Sequence, residues 1–297
     1  MPAIAFVTGG SSLVGRVLVS RLAERGVRVL ALARSRSAAA AVEQFGAEPV
    51  LGDLRRPETW RAEARAADVV FHVGLPRVRP PLRRHRVRGL VGEAAAGAAA
   101  LRSTLGAGRP VVAVSSGLVY GDRAGPATEA EHLAPLALAR PALAAERALA
   151  DPELRIVRLP WVYGPEGIIF DLVSALRAGR YRIVGPGGNR WSMLSAEDAA
   201  EALLTAASAP PGAYNAAEPD PPSQLEVVRT VCAQAGARRP DHLPPRIAAL
   251  GLGGPTAEAL AASLVLDAAK LAGAGWTPRS RWRRDLVSLL LPGPAAA

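Results

Sequence analysis

Short apolar runs alternate with helical periodicities from the first residues of the chain. Ile4 to Val7 is a continuous apolar run that stops at Gly9 and Gly10, and behind it Leu13, Val17, Leu18 and Leu22 recur at the spacing of one helix face. Gly26 closes that helix, and residues 27–32 form a second apolar run. Further on, the pattern predicts helices at 37–45 and 57–66, the latter with Pro57 in its first turn, and a long alanine-rich helix from about 87 to 105. Strands are predicted at 48–51, 68–72, 110–114 and 154–158. Unbroken apolar strands that alternate with amphipathic helices predict an α/β fold, a Rossmann-type doubly wound parallel sheet with helices on both faces. Beyond residue 160, helices at 168–178, 198–207 (with Asp198 as N-cap), 223–235 and near 257–271 are joined by Pro- and Gly-rich links. They predict a smaller C-terminal substrate lobe over residues 161–297, with the sheet domain covering 1–160 and returning near 196–217.

The first turn carries the candidate chemistry. Strand, glycine turn and helix N-terminus in that order make an anion site, because free helix N–H groups and the helix dipole point into the turn. Within Thr8-Gly9-Gly10-Ser11-Ser12-Leu13-Val14-Gly15, Gly9 lets the chain turn, Gly15 lets the helix approach the sheet, and Ser11 and Ser12 offer hydroxyls to a pyrophosphate. The second strand ends at Arg34-Ser35-Arg36, where NAD-selective sites place an acidic residue; arginine suits a 2′-phosphate, so NADP(H) is the expected cofactor. Asp53 and Leu54, after the third strand, are placed to meet the adenine, and Val73-Gly74, after the fourth, must lie close to the cofactor backbone. His72 at the end of the fourth strand reads as a packed residue more than as a base.

Composition narrows the classes. The hydrophobic share of 49% belongs to a globular chain, and Cys232 alone allows no internal disulfide, which points to a reducing, cytoplasmic setting. The first strand begins at once, leaving no room for a signal peptide, and glycines, Pro255 and Glu258 make residues 247–266 a poor membrane span. The net charge of +10 is carried almost wholly by arginine, without aromatic–basic interleaving or a recognition helix, so neither nucleic acid nor membrane is expected as a partner. The densest basic run, residues 77–88, suits a phosphate, a carboxylate or an acidic carrier protein, or a plain solvated face. No metal-ligand cluster is evident.

Taken together, the segments at 8–15, Gly52-Asp53-Leu54, Ser115-Ser116-Gly117-Leu118-Val119-Tyr120-Gly121 and Arg158-Leu159-Pro160-Trp161-Val162-Tyr163-Gly164-Pro165 resemble the extended short-chain dehydrogenase/reductase family, the NAD-dependent epimerase/dehydratase group. The resemblance implies that Ser116 is the catalytic serine, that Pro160 borders the cofactor, that residues 191–195 face the substrate, and that helices at 87–105 and 133–150 form a homodimer interface, the second bent by Pro141. It also exposes two departures. Ser12 stands where a third glycine is usual. The Tyr-x-x-x-Lys pair falls on Leu138 and Ala142, and Lys270, far downstream, is the only lysine of the chain. Tyr120 and Tyr163 are the first candidates for a substitute acid, with Glu129, Glu131 and His132 behind them. Three functions follow: an NADP(H)-dependent oxidoreductase with a non-standard proton donor acting on a small, hydrophobic substrate; a redox-neutral isomerase, lyase or cyclase on the same fold; and a non-catalytic NADP(H)-binding sensor or partner protein.

Overall fold

The computed structural model describes residues 2–76, 81–123 and 125–288. Strands β1 (Ile4–Thr8), β2 (Arg28–Ala33), β3 (Glu48–Leu51), β4 (Val69–His72), β5 (Val111–Ser116) and β6 (Leu154–Leu159) alternate with helices α1 (Leu13–Glu24), α2 (Arg36–Glu43), α3 (Arg61–Ala66), α4 (Arg84–Leu105) and α5 (Arg140–Ala148). The later part holds β7 (Trp161–Tyr163), α6 (Ile168–Arg177), β8 (Ile183–Val184), β9 (Met193–Ser195), α7 (Ala196–Ser208) and β10 (Gly212–Asn215). It continues with α8 (Gln224–Ala235), β11 (His242–Leu243), α9 (Pro245–Leu252), α10 (Gly254–Ala261), α11 (Ala269–Gly273) and α12 (Trp282–Ser288). Among the described residues the main sheet is seven-stranded and parallel, in the order β10-β6-β5-β4-β1-β2-β3. The expected doubly wound parallel sheet is therefore present.

The apolar strands are buried because helices cover both faces. Phe6, Val70 and Val111 pack with Trp60, Leu101 and Leu149 on one side; Val7, Val112 and Val157 pack with Leu18, Leu22 and Leu203 on the other. A third core, built around Tyr163, Trp191, Val228 and Leu260, belongs to the later elements. The order of the strands reverses between β1 and β4, and in such sheets the crevice at the carboxyl edge of that switch is where ligands bind.

Several local expectations are corrected. Residues 57–66 divide into a 3-10 turn at Pro57–Thr59 and α3. Pro141 sits in the first turn of α5, where its missing N–H has no partner to lose, so it starts the helix instead of bending it. Ser195, not Asp198, caps α7: its Oγ accepts from Asp198 N at 3.0 Å, while the Asp198 carboxylate accepts Arg279 N and Ser280 N. The apolar stretch near 257–271 is two helices, α10 and α11, with Leu264 and Leu266 on an extended segment between them. No helix among the described residues is long and apolar enough to cross a membrane.

Candidate active site

At the carboxyl ends of β1, β2, β3 and β4 lies a cavity of about 600 Å³. Its floor follows from the glycine turn. Gly9 has φ +76, and a Cβ there would collide with the Gly74 backbone. A Cβ on Gly15 would run into the Gly9 carbonyl, so α1 packs against the turn only because this residue has no side chain. Ser12 is the N-cap of α1, its Oγ accepting from Gly15 N at 3.2 Å, which leaves the start of the helix directed into the cavity.

Nine of the expected cofactor residues line this cavity: Thr8, Gly9, Ser11 and Ser12 from the turn, Arg34 and Ser35 from the end of β2, Asp53 and Leu54 after β3, and Gly74 after β4. The other five do not. Gly15 and Val14 are buried beneath the turn, Val73 is buried and donates its N–H to the Thr8 carbonyl, Leu13 packs against Gly164, and Pro160 lies off the cavity wall.

Register places Thr8 beside His72 on adjacent strands, and Thr8 Oγ1 lies 2.7 Å from His72 Nδ1. Burial pushes the imidazole down to about 4, so His72 is neutral at pH 7 and acts as a partner of Thr8.

Sequence reasoning missed four charged side chains that complete the wall, Arg16, Arg55, Glu93 and Glu166. Arg16, one turn into α1, pairs with Glu166 at 2.9 Å, and Arg55 grips Asp53 at 2.7 Å. Arg34 stands 3.7 Å from Glu93 of α4. Hydrogen bonds from the Arg55 side chain and backbone hold the Asp53 carboxyl well below the usual range. Arg55 and Arg16 could have been suspected from their nearness to Asp53 and Ser12; Glu93 and Glu166 arrive from distant segments and carry no local signal.

Ser116 ends β5 half-buried, with Oγ accepting Leu118 N at 3.2 Å. Its surroundings are apolar. Leu264 and Leu266 press on Gly117, Leu138 packs into the same cluster as Leu118, and Ala142 is buried in α5.

Neither tyrosine lines the cavity, nor does Ser116, and both phenols, the first candidates for a substitute acid, are bonded elsewhere. The Tyr120 hydroxyl donates to Asn215 Oδ1 and accepts from Arg158 Nη1, both at 2.8 Å, and the guanidinium is in turn paired with Glu146 at 2.9 Å. Tyr163 donates to Glu218 at 2.7 Å, and burial with the neighbouring carboxylate pushes its phenol far above the ordinary value. Both hydroxyls are committed to buried networks. Glu129 accepts Asn215 N, Glu131 pairs with Arg123, and His132 is exposed. Residues 191–195 are buried in the cores, with Ser195 spent on its cap, and do not open onto the cavity. Of the basic run, residues 77–80 lie outside the described residues. Among the described residues there is no cluster of metal-ligating side chains.

The model of the NAD dependent epimerase/dehydratase family matches residues 5–217. The 4-hydroxy-2-methyl-3-oxo-4-farnesyl-3,4-dihydroquinoline-1-oxide ketoreductase of Stigmatella aurantiaca is 32% identical over 230 residues, 70% of this chain and 65% of that protein. The chain thus spans just under two thirds of that relative. A 2-alkyl-3-oxoalkanoate reductase of Stenotrophomonas maltophilia is 30% identical over 79% of this chain and 76% of its own length. Among solved structures, UDP-glucuronic acid 4-epimerase from Bacillus cereus, in complex with UDP-glucuronic acid and NAD, has a TM-score of 0.79 at 16% identity, covering 97% and 100% of the two chains. MoeE5 in complex with UDP-glucose and NAD has a TM-score of 0.76 at 24% identity, covering 96% and 97%. These two are likenesses of fold.

Proposed function

The chain belongs to the NAD-dependent epimerase/dehydratase family, and on that premise we propose that it is an NADP(H)-dependent reductase of a carbonyl group on a small, apolar organic substrate. The observation that carries the proposal is the glycine-floored cavity at the sheet switch point, with the start of α1 at one end and Arg34 at the other. Its residues fit a dinucleotide. Side chains at Gly9 or Gly15 would fill the cradle; Ser11, Ser12 and Arg16 would hold the pyrophosphate; Leu54 and Ala94 would face the adenine; Arg34 and Ser35 would take a 2′-phosphate. When bound, such a cofactor supplies a hydride.

Ser116 is assigned to the substrate. Its Oγ already accepts a backbone N–H, which leaves the hydroxyl hydrogen free to donate to a carbonyl oxygen and stabilise the charge that develops there. Leu118, Leu138 and Leu266 around it favour an alkyl or prenyl substrate over a sugar nucleotide. The two reductase relatives fit this choice, since their names place an oxo group beside an alkyl or farnesyl chain. With leucine and alanine at positions 138 and 142, the proton is drawn from water beside Ser116. Loss of a dedicated general acid lowers rates by about 10²- to 10⁴-fold, so slow turnover is expected.

Calorimetric titration with NADPH, NADP⁺, NADH and NAD⁺ tests the cofactor, and NADPH oxidation with 2-alkyl-3-oxoalkanoates tests the reaction. Tight NADPH binding that is lost in Arg34→Asp is expected. Absence of binding to all four nucleotides would refute the proposal.

A further inference from the structure

Every cation on the cavity wall faces a carboxylate, but the three pairs are not alike. Arg55 is fixed to both oxygens of Asp53, and Arg16 meets Glu166 at 2.9 Å. The Arg34–Glu93 pair is the longest at 3.7 Å and lies open to solvent, with the two side chains 66% and 40% exposed. Glu93 is held toward the cavity by its place on α4, where Leu90, Ala94 and Gly97 share the same wall at one- and two-turn spacing. Gly97 matters here because a Cβ would strike the Leu54 side chain, so the helix passes close beside the adenine end.

Glu93 also has somewhere to go. A second groove, lined by Arg55 and Arg86, continues from the cavity and shares Glu93 and Leu90 with it. The Arg55 guanidinium already feels the charge of Glu93. The carboxylate thus pairs with Arg34 and shares the second groove with Arg55 and Arg86.

We propose that Glu93 sets nucleotide selectivity at the adenosine end, by competing with a 2′-phosphate for Arg34 and giving way toward Arg55 and Arg86 when the phosphate binds. The proposal rests on the NADP(H) assignment above. A phosphate monoester carries about −1.5 to −2 charges at neutral pH, so it and a carboxylate repel each other if both sit against Arg34. A nucleotide without that phosphate leaves the pair intact. Glu93 thus lowers affinity for phosphorylated nucleotides selectively and narrows the preference that Arg34 creates. Exposed ion pairs are weak, so the effect is about two- to five-fold in affinity at low salt.

The test uses the full chain and two fragments, 2′,5′-ADP and 5′-AMP, alongside NADPH and NADH, titrated by calorimetry into wild type, Glu93→Gln, Arg34→Ala and the double variant. Glu93→Gln should bind 2′,5′-ADP and NADPH about two- to five-fold more tightly, leave 5′-AMP and NADH within about two-fold, and have no effect on 2′,5′-ADP once Arg34 is removed. Unchanged or weaker 2′,5′-ADP binding in Glu93→Gln would overturn the proposal, as would a gain that persists without Arg34. Weaker 5′-AMP and NADH binding would overturn it too, since Glu93 would then be holding the ribose hydroxyls. The wild-type preference between NADPH and NADH judges the cofactor assignment separately, because the change in the 2′,5′-ADP to 5′-AMP ratio on Glu93→Gln reads Glu93 whichever nucleotide wild type prefers.

Discussion

Tyr120→Phe separates a structural phenol from a proton donor. The hydroxyl occupies a sealed network: Arg158 Nη1 donates to it, it donates to Asn215 Oδ1, and Asn215 Nδ2 continues to the carbonyls of Ala127 and Asp267. Its removal leaves one guanidinium N–H and one amide oxygen without their partner in a buried site. A hydrogen bond from a charged group contributes about 1.5–3 kcal/mol and a neutral one about 0.5–1.5, partly offset by the easier burial of phenylalanine, which gives a loss of about 2–3 kcal/mol. With an unfolding entropy of about 2.1 cal/mol/K per residue over 297 residues, that loss lowers Tm by about 4 °C. Burial is the largest influence on this phenol and raises its pKa away from neutrality, which argues against proton transfer by it. Thermal melts and NADPH oxidation on the same preparation give the answer. The expected result is a lower Tm with turnover within about two-fold of wild type at 25 °C. An unchanged Tm with turnover reduced about 100-fold or more would show that Tyr120 is the acid and that its place in the network has been misjudged.

Ser116→Ala should lower kcat for carbonyl reduction by about 10²-fold while NADPH affinity by calorimetry stays within about two-fold, since the serine is assigned to the substrate oxygen alone. Gly9→Ala should abolish nucleotide binding and destabilise by about 1–3 kcal/mol in urea melts, because its φ of +76 is strained for alanine and the Cβ meets Gly74. Glu218, raised by burial from 4.5 to about 7, keeps a proton in the folded state that the unfolded chain releases, so its contribution to stability falls as pH rises from 4.5 to about 7; Glu218→Gln should remove up to about 3 kcal/mol of that decline in urea melts between pH 4 and 8. His72, lowered from 6.5 to about 4, has the opposite sign: stability is lost as pH falls through that window, and His72→Gln should flatten the acid limb.

The parts of the molecule that local chemistry determines were legible in the sequence. Short apolar runs bounded by turn residues fit strands covered on both faces, so β1, β4 and β5 announced a parallel sheet. The glycine turn announced the cavity because Gly15 is required by the Gly9 carbonyl six residues before it, although the contact that requires Gly9, with the Gly74 backbone, is long-range. Arg34, Ser35 and Asp53 followed from their positions at strand ends. What escaped was whatever depends on long-range partners. The polar ends of Tyr120 and Tyr163 looked available beside their glycines, yet Asn215 and Glu218, far along the chain, consume them. Likewise Asp198 resembled a cap by its place before a helix, whereas its carboxylate secures residues 279 and 280 and leaves the cap to Ser195.

The same division sets the cavity apart from positions 138 and 142. The cradle is built from backbone at the ends of β1 and β4, from the start of α1, and from side chains on α4 and the loops after β2 and β3. Positions 138 and 142 do not line it: Leu138, in the 3-10 turn at Ala137–Ala139 before α5, packs on the core around Tyr163 and Trp191, and Ala142 is buried in the first turn of α5. Glu146, one turn beyond Ala142, still anchors α5 to β6 through Arg158, so the helix stays in place whatever side chains occupy its first turn. On the proposed reading, nucleotide binding and proton transfer are held by separate sets of contacts. Substitutions along α5 should alter turnover without altering nucleotide affinity, and Ala142→Lys paired with Leu138→Tyr should raise turnover if the backbone of the first turn is the only inheritance the family's acid requires. A double variant that folds, binds NADPH as wild type does and turns over no faster would place the limit in the apolar wall formed by Leu264 and Leu266 instead.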